Sequence, residues 1–274
     1  MNRFEDWVPP PKLVVPPIGL VGWLRVLRRA IPFAILVFGG LLILLIVRMI
    51  ETPLFRMRRP VTPSITKFVC RNSLRIIGLR YIRMGEPMRH RGAMVANHAS
   101  WLDIFTLNAG QRLYFVSKSE VANWPGIGWL ARATGTVFIR RNRADAKAQT
   151  KVFEDRLLAG HKLMFFPEGT STDGLQIIPF KSTLFAAFML PKLCDEMWIQ
   201  PVTVMYMAPD GREQSFYGWW GDMDFVPHLI YVLSAKRQGG VVVTYHDPVA
   251  VADYDDRKGL ALECEMRVRS GAAL

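Results

Sequence analysis

A chain of 274 residues, half of them hydrophobic and 21% charged, is too apolar to be disordered, and its three cysteines are too few for a disulfide-framework miniprotein. The length suits one α/β domain of ordinary size with an appendage. The net charge of +12 is lopsided: through Arg91 there are 16 Lys and Arg against 4 Asp and Glu, and from Gly92 onward 19 against 19. A basic first third attracts polyanions, either nucleic acid or the anionic cytoplasmic membrane surface, and the apolar run embedded in it favours the membrane.

That run, Ala30 to Val47, carries no charge over eighteen residues and would reach about 27 Å as a helix. It begins too late for a secretory signal and runs into Arg48 without a small-residue cleavage pattern, so it reads as a retained anchor. Arg25, Arg28 and Arg29 precede it, and Arg48, Arg56, Arg58 and Arg59 follow it. Basic flanks at both ends, with Gly39-Gly40 between them, fit a helical hairpin dipping into one leaflet as well as a tilted span, and a weaker helix at 62–79 can serve as the other arm. The re-entrant anchor is the preferred reading. The three widely spaced cysteines form no metal or redox motif and read as small hydrophobes in a reducing compartment.

After Gly92 short β-rich runs alternate with helical stretches. Strands are predicted at 93–97, 113–117, 136–139, 163–166, 198–204 and 241–245; helices at 100–108, 124–133, 144–159 and 182–190, with a terminal one from Asp255. This alternation predicts an α/β fold with a largely parallel sheet covered by helices on both faces, in which ligands collect at the carboxyl ends of the strands. Residues 1–91 then form the basic region with the anchor, and 92–274 the catalytic domain.

The strand exits carry the candidate chemistry. His98 follows the first strand and Asp103 stands about one turn into the next helix, so the carboxylate can hold one imidazole nitrogen and leave the other as a general base. There is no G-x-S-x-G elbow, no nucleophilic cysteine motif and no H-E-x-x-H. A lone base suits direct attack by a substrate hydroxyl on an activated acyl group. Arg140, Arg141 and Arg143 follow the strand at 136–139, as a phosphate-binding cluster or as a solvated basic turn. Glu168, Gly169, Thr170 and Ser171 follow the strand at 163–166, and Lys181 adds a cation near the same edge.

These residues, in this order, resemble the glycerolipid acyltransferases typified by 1-acylglycerol-3-phosphate acyltransferase. The N-H-x4-D block is matched by Asn97, His98 and Asp103, and G-x-[IV]-F-I-x-R by Gly135, Val137, Phe138, Ile139 and Arg141. F-P-E-G-T stands at Phe166 to Thr170, and a proline-bearing strand at Ile199 to Val202. The resemblance implies that His98 is the base on the acceptor hydroxyl, oriented by Asp103, and that Arg140, Arg141, Glu168, Gly169, Thr170 and Lys181 bind substrate. It implies a coenzyme A or acyl carrier protein thioester as donor, with no metal or other cofactor. Two departures bear on the acceptor: Ser171 replaces the arginine that usually closes the third motif, and Arg140 stands where an acidic residue is common.

The resulting expectation is an O-acyltransferase at the cytoplasmic membrane, its catalytic domain facing the cytoplasm, that acylates a lysophospholipid, first of all 1-acylglycerol-3-phosphate. Lyso-ornithine lipid is the alternative acceptor, since the block from Trp219 to Leu229 also resembles bacterial members of that type. A membrane or nucleic-acid binding module is the rival of a different class, though nucleic acid is not the expected partner. The block itself is otherwise read as a loop whose tryptophans rest at the interface.

Overall fold

The computed structural model describes residues 7–11, 13, 15–140 and 146–272. Arg141 and Arg143 lie outside these. Among the described residues eight strands build one sheet: β1 (Arg80–Met84), β2 (Gly92–Ala96), β3 (Tyr114–Lys118), β4 (Val137–Ile139), β5 (Leu163–Phe165), β6 (Trp198–Met207), β7 (Gly240–Tyr245) and β8 (Val249–Ala250). Their order is β1-β7-β6-β2-β5-β3-β4, with β8 beside the start of β6. β2, β3, β4, β5 and β6 all run the same way, so the chain leaves each of them along one edge of the sheet. β7 and β8 pair antiparallel with β6, and β1 pairs parallel with β7. The sheet thus takes a strand, β1, from the chain before Gly92.

Seven α-helices accompany it among the described residues: α1 (Leu20–Phe55), α2 (Thr62–Ile77), α3 (Asp103–Gly110), α4 (Ile127–Thr134), α5 (Ala146–Leu158), α6 (Phe225–Ser234) and α7 (Arg257–Ser270). Local chemistry sets several boundaries. Pro63 opens α2, and Gly78, at φ +90°, closes it in the left-handed conformation that a side chain would resist. Asp256 caps α7 by accepting from the main-chain N–H groups of Lys258 and Gly259, each at 2.8 Å.

Alternation along the strands divides the interior into two cores. Met94 and Ala96 of β2 and Val202 and Val204 of β6 face one core with Leu74 of α2, Leu107 of α3 and Val232 of α6. Ala93, Val95 and Ile199 face the other with Phe153 of α5 and Leu260 and Cys264 of α7. Cys70 and Cys264 are buried and no cysteine is disulfide-bonded.

Two predicted elements differ. The helix expected at 182–190 is a single 3-10 turn at Leu184–Ala187, and the block expected to be a loop leads into α6 at Phe225. The aromatic composition of that block concealed an amphipathic helix whose buried side, His228, Tyr231 and Val232, is visible in the packing. The Gly39-Gly40 pair does not break α1, because Gly40 faces α2: a Cβ on Gly40 would lie 2.4 Å from Cγ2 of Val69. α1 and α2 are the two arms of the hairpin, turning at 56–61, so the helix expected at 62–79 is the second arm.

α1 is the helix among the described residues that is long and apolar enough to cross a membrane. It is docked along its length. Near its start, buried Arg29 donates to the carbonyls of Leu233 (2.7 Å) and Ala235 (2.6 Å) at the end of α6. Near its end, buried Glu51 accepts from the Thr62 hydroxyl (2.7 Å) and the Val61 N–H (2.7 Å). Its outer face exposes Leu24, Ile31, Ile35, Leu42 and Ile46.

Candidate active site

β2 ends and the chain turns at Asn97, whose side chain bridges to β6: Nδ2 donates to the Val204 carbonyl (2.9 Å) and Oδ1 accepts from the Val204 N–H (2.8 Å). This clamp fixes the exit of the strand where His98 begins. His98 Nδ1 lies 2.7 Å from Oδ2 of Asp103, which also accepts from the N–H groups of Ala99 (2.9 Å) and Ser100 (3.0 Å). A carboxylate can only accept, so Nδ1 carries the proton and Nε2 is the basic nitrogen. The imidazole is stacked on Phe166 at 4.0 Å and 10°. Its side chain is 21% exposed while Asp103 is fully buried, so the base meets solvent and its orienting carboxylate does not.

The other carboxylate oxygen, Oδ1, accepts from the Tyr206 hydroxyl at 2.8 Å. Four donors therefore hold a buried anion, two of them main-chain groups at the start of α3, where the helix dipole also favours negative charge. The sequence reading missed Tyr206. It sits in an apolar strand 103 residues from Asp103, and the one available signal was its position near the end of β6, at the edge that carries His98.

Three loops meet around this pair. The Thr172 N–H donates to the His98 carbonyl (2.8 Å), and the Trp219 N–H donates to the Ala99 carbonyl (2.8 Å). Gly218 passes so close to Asp173 that a Cβ on it would lie 2.4 Å from the Asp173 carbonyl oxygen. Gly169 takes φ +75° directly after β5 and closes its turn on the Phe166 carbonyl.

Glu168 is completely buried, and among the described residues neither of its carboxyl oxygens has a hydrogen-bonding partner. It lies beneath the surface rather than on a pocket wall. Burial pushes its carboxyl up to about 9, and the His98 main chain, which favours the ionised form, offsets this only in part. Glu168 is therefore neutral near pH 7. That keeps a second negative charge away from Asp103.

The remaining predicted residues are spread along the edge. Thr170 is half-buried in the loop beside His98, and Lys181 is exposed with its N–H on the Pro167 carbonyl (2.9 Å). Arg140 is exposed at the end of β4, which is three strand spacings, about 14 Å, from β2. It borders a cavity of about 220 Å³ with Phe138 and Gln149.

A base oriented by a buried carboxylate at a strand exit, in a domain packed against a long apolar helix, is built to activate a hydroxyl. The chain belongs to the acyltransferase family, whose model matches residues 73–205. It is 59% identical over 263 residues to a lyso-ornithine lipid O-acyltransferase of Rhodobacter capsulatus, covering 96% of this chain and 94% of that one. A Brucella abortus protein of the same name is 37% identical over 210 residues, 72% of this chain and 77% of that one. A 1-acyl-sn-glycerol-3-phosphate acyltransferase of Neisseria gonorrhoeae is 41% identical over 101 residues, 36% of this chain and 40% of that one. The fold matches the crystal structure of the 1-acyl-sn-glycerophosphate acyltransferase PlsC from Thermotoga maritima, with a TM-score of 0.63 at 19% identity over 92% of this chain and 95% of that one. The enzyme is an O-acyltransferase of the lysolipid type, associated with membrane.

Proposed function

We propose that this enzyme moves a fatty acyl group from a coenzyme A or acyl carrier protein thioester to the free hydroxyl of lyso-ornithine lipid. The reaction rests on one observation, the 2.7 Å contact that gives His98 Nδ1 to a buried carboxylate and leaves Nε2 as a base. Nε2 takes the hydroxyl proton as the oxygen attacks the thioester carbonyl carbon. The tetrahedral intermediate collapses, the C–S bond breaks, and the departing thiolate recovers the proton from the imidazolium. Asp103 stabilises that imidazolium. This route draws on no metal or redox cofactor. Gly169 and Thr170 border the acceptor, and Arg140 and Lys181 supply cations along the same edge.

The choice of acceptor rests on coverage. Likeness to the Rhodobacter and Brucella lyso-ornithine lipid enzymes covers 96% and 72% of the chain, whereas likeness to the Neisseria enzyme spans 36% of it. Lysophosphatidate is the second reading, and Ser171 in place of the motif arginine weighs against it. Acyl transfer by detergent-purified enzyme to lyso-ornithine lipid, lysophosphatidate and lysophosphatidylcholine, with His98→Ala alongside, tests both. Preference for lyso-ornithine lipid is expected; preference for lysophosphatidate overturns the acceptor, and transfer by His98→Ala near the normal rate overturns the mechanism.

The anchor belongs in the cytoplasmic leaflet of the cytoplasmic membrane, with the catalytic domain in the cytoplasm. Docking of α1 at both ends and its middle supports an interfacial helix, because a perpendicular span would carry much of its length away from the domain. Its basic flanks suit anionic lipid. Extraction by detergent but not by 1 M salt (roughly a 3 Å screening length) is the expected behaviour.

A further inference from the structure

The motif arginine absent at Ser171 leaves open which cation reads the acceptor's headgroup. A cavity of about 270 Å³ lies at the carboxyl edge of the sheet, on the face covered by α7, lined by Gly174, Gln176, Ile177, Met205, Arg269 and Ala272. It adjoins the reacting base through the loop after β5. Thr172 of that loop binds the His98 carbonyl, and a Cβ on Gly174 would lie 3.2 Å from Cβ of Ala99. On the far wall, Arg269 Nε donates to Glu265 Oε1 (2.8 Å), and the other oxygen of Glu265 accepts from the Phe180 N–H (2.8 Å). The guanidinium is thus fixed in orientation before any ligand arrives.

We propose that this cavity is the headgroup subsite of the acceptor and that Arg269 pairs with its anionic group, the free carboxylate of the ornithine headgroup. This deepens the function proposed above and rests on it. An ornithine acylated on its α-nitrogen keeps that carboxylate, and a planar guanidinium matches it better than a lysine would. The acceptor then lies across the sheet edge. Its tail is on the side of α1 and α3, its hydroxyl is at His98, and its headgroup is over the edge against α7. The charge of Arg269 reaches Glu168, which places the cation within electrostatic range of the reacting pair. A residue on the last turn of α7 takes the part that the usual motif gives to its closing arginine.

The test compares lyso-ornithine lipid with its carboxyl methyl ester and with lysophosphatidate, using full-length wild type and Arg269→Gln. Wild type is expected to favour the free acid over the ester by about 10- to 100-fold, in KM rather than kcat, the size of a lost charge-assisted hydrogen bond. In Arg269→Gln that ratio falls to about 3-fold or less, and Arg269→Lys recovers part of it. Retention of the full ratio in Arg269→Gln overturns the subsite while leaving the function standing. Failure of wild type to acylate lyso-ornithine lipid sinks both. An equal penalty on lysophosphatidate shows that the subsite reads any anion and overturns its assignment to a carboxylate. Should Arg269→Gln fold poorly, Met205→Trp fills the cavity from the opposite wall, and an unchanged KM for the free acid in that variant rejects the proposal.

Discussion

The Tyr206 hydroxyl donates to Oδ1 of Asp103 at 2.8 Å, so the carboxylate that orients His98 is itself held from a strand on the other side of β2. Tyr206→Phe leaves that oxygen buried without a donor. An expected fall in kcat of about 10- to 100-fold at unchanged KM follows from a charge-assisted bond of about 1.5–3 kcal/mol. In an Asp103→Asn background the same substitution has a much smaller effect. Additive losses in the two variants would reduce Tyr206 to a packing residue.

His98→Ala and Asp103→Asn are both expected to lower turnover by about 10²–10⁴-fold. The reasons differ. The first removes the base, while the second takes the acceptor from Nδ1 and releases the tautomer. Both variants remain folded and membrane-bound, which circular dichroism and flotation on vesicles will register. Turnover by Asp103→Asn within threefold of wild type, roughly 0.65 kcal/mol, rejects the orienting role.

Glu168 predicts an unusual pH dependence of stability. Below about pH 4.5 its carboxyl is protonated whether the chain is folded or not. Between there and about 9 the folded chain alone keeps the proton, so unfolding releases it and stability falls by about 1.4 kcal/mol per pH unit. Glu168→Gln removes this slope and is the more stable protein at pH 8. Thermal melts of the two proteins from pH 5 to 9 decide the matter: parallel curves mean that the carboxyl is not neutral.

The docking of the anchor is testable at two points. Arg29→Met takes two charged hydrogen bonds from the last carbonyls of α6 and should lower stability by about 2 kcal/mol or more. Gly40→Leu places a side chain where Val69 already sits and should pry α1 from α2. Hydrogen exchange in detergent is expected to speed up in α6 for the first variant and in α2 for the second. If α2 is no less protected in Gly40→Leu, the close crossing at Gly40 does not hold the hairpin.

By itself the sequence determined the alternation of strands and helices from Gly92 onward, the apolar anchor, and the local pair His98 and Asp103. These are signals of period, composition and short spacing. Each is carried by residues close together in the chain. Tertiary structure alone decided what lies far apart. It showed that Tyr206 completes the Asp103 environment, that Glu168 is buried with no hydrogen-bonding partner among the described residues, and that Arg269 and the loop after β5 line one cavity. It also showed that β1, from the anchor side of Gly92, joins the sheet beyond β7, and that α1 lies along the domain instead of leaving it. The physical reason is that a parallel sheet gathers the ends of strands that are dozens of residues apart, so the contacts that tune the base and hold the substrate leave no periodic trace in the chain.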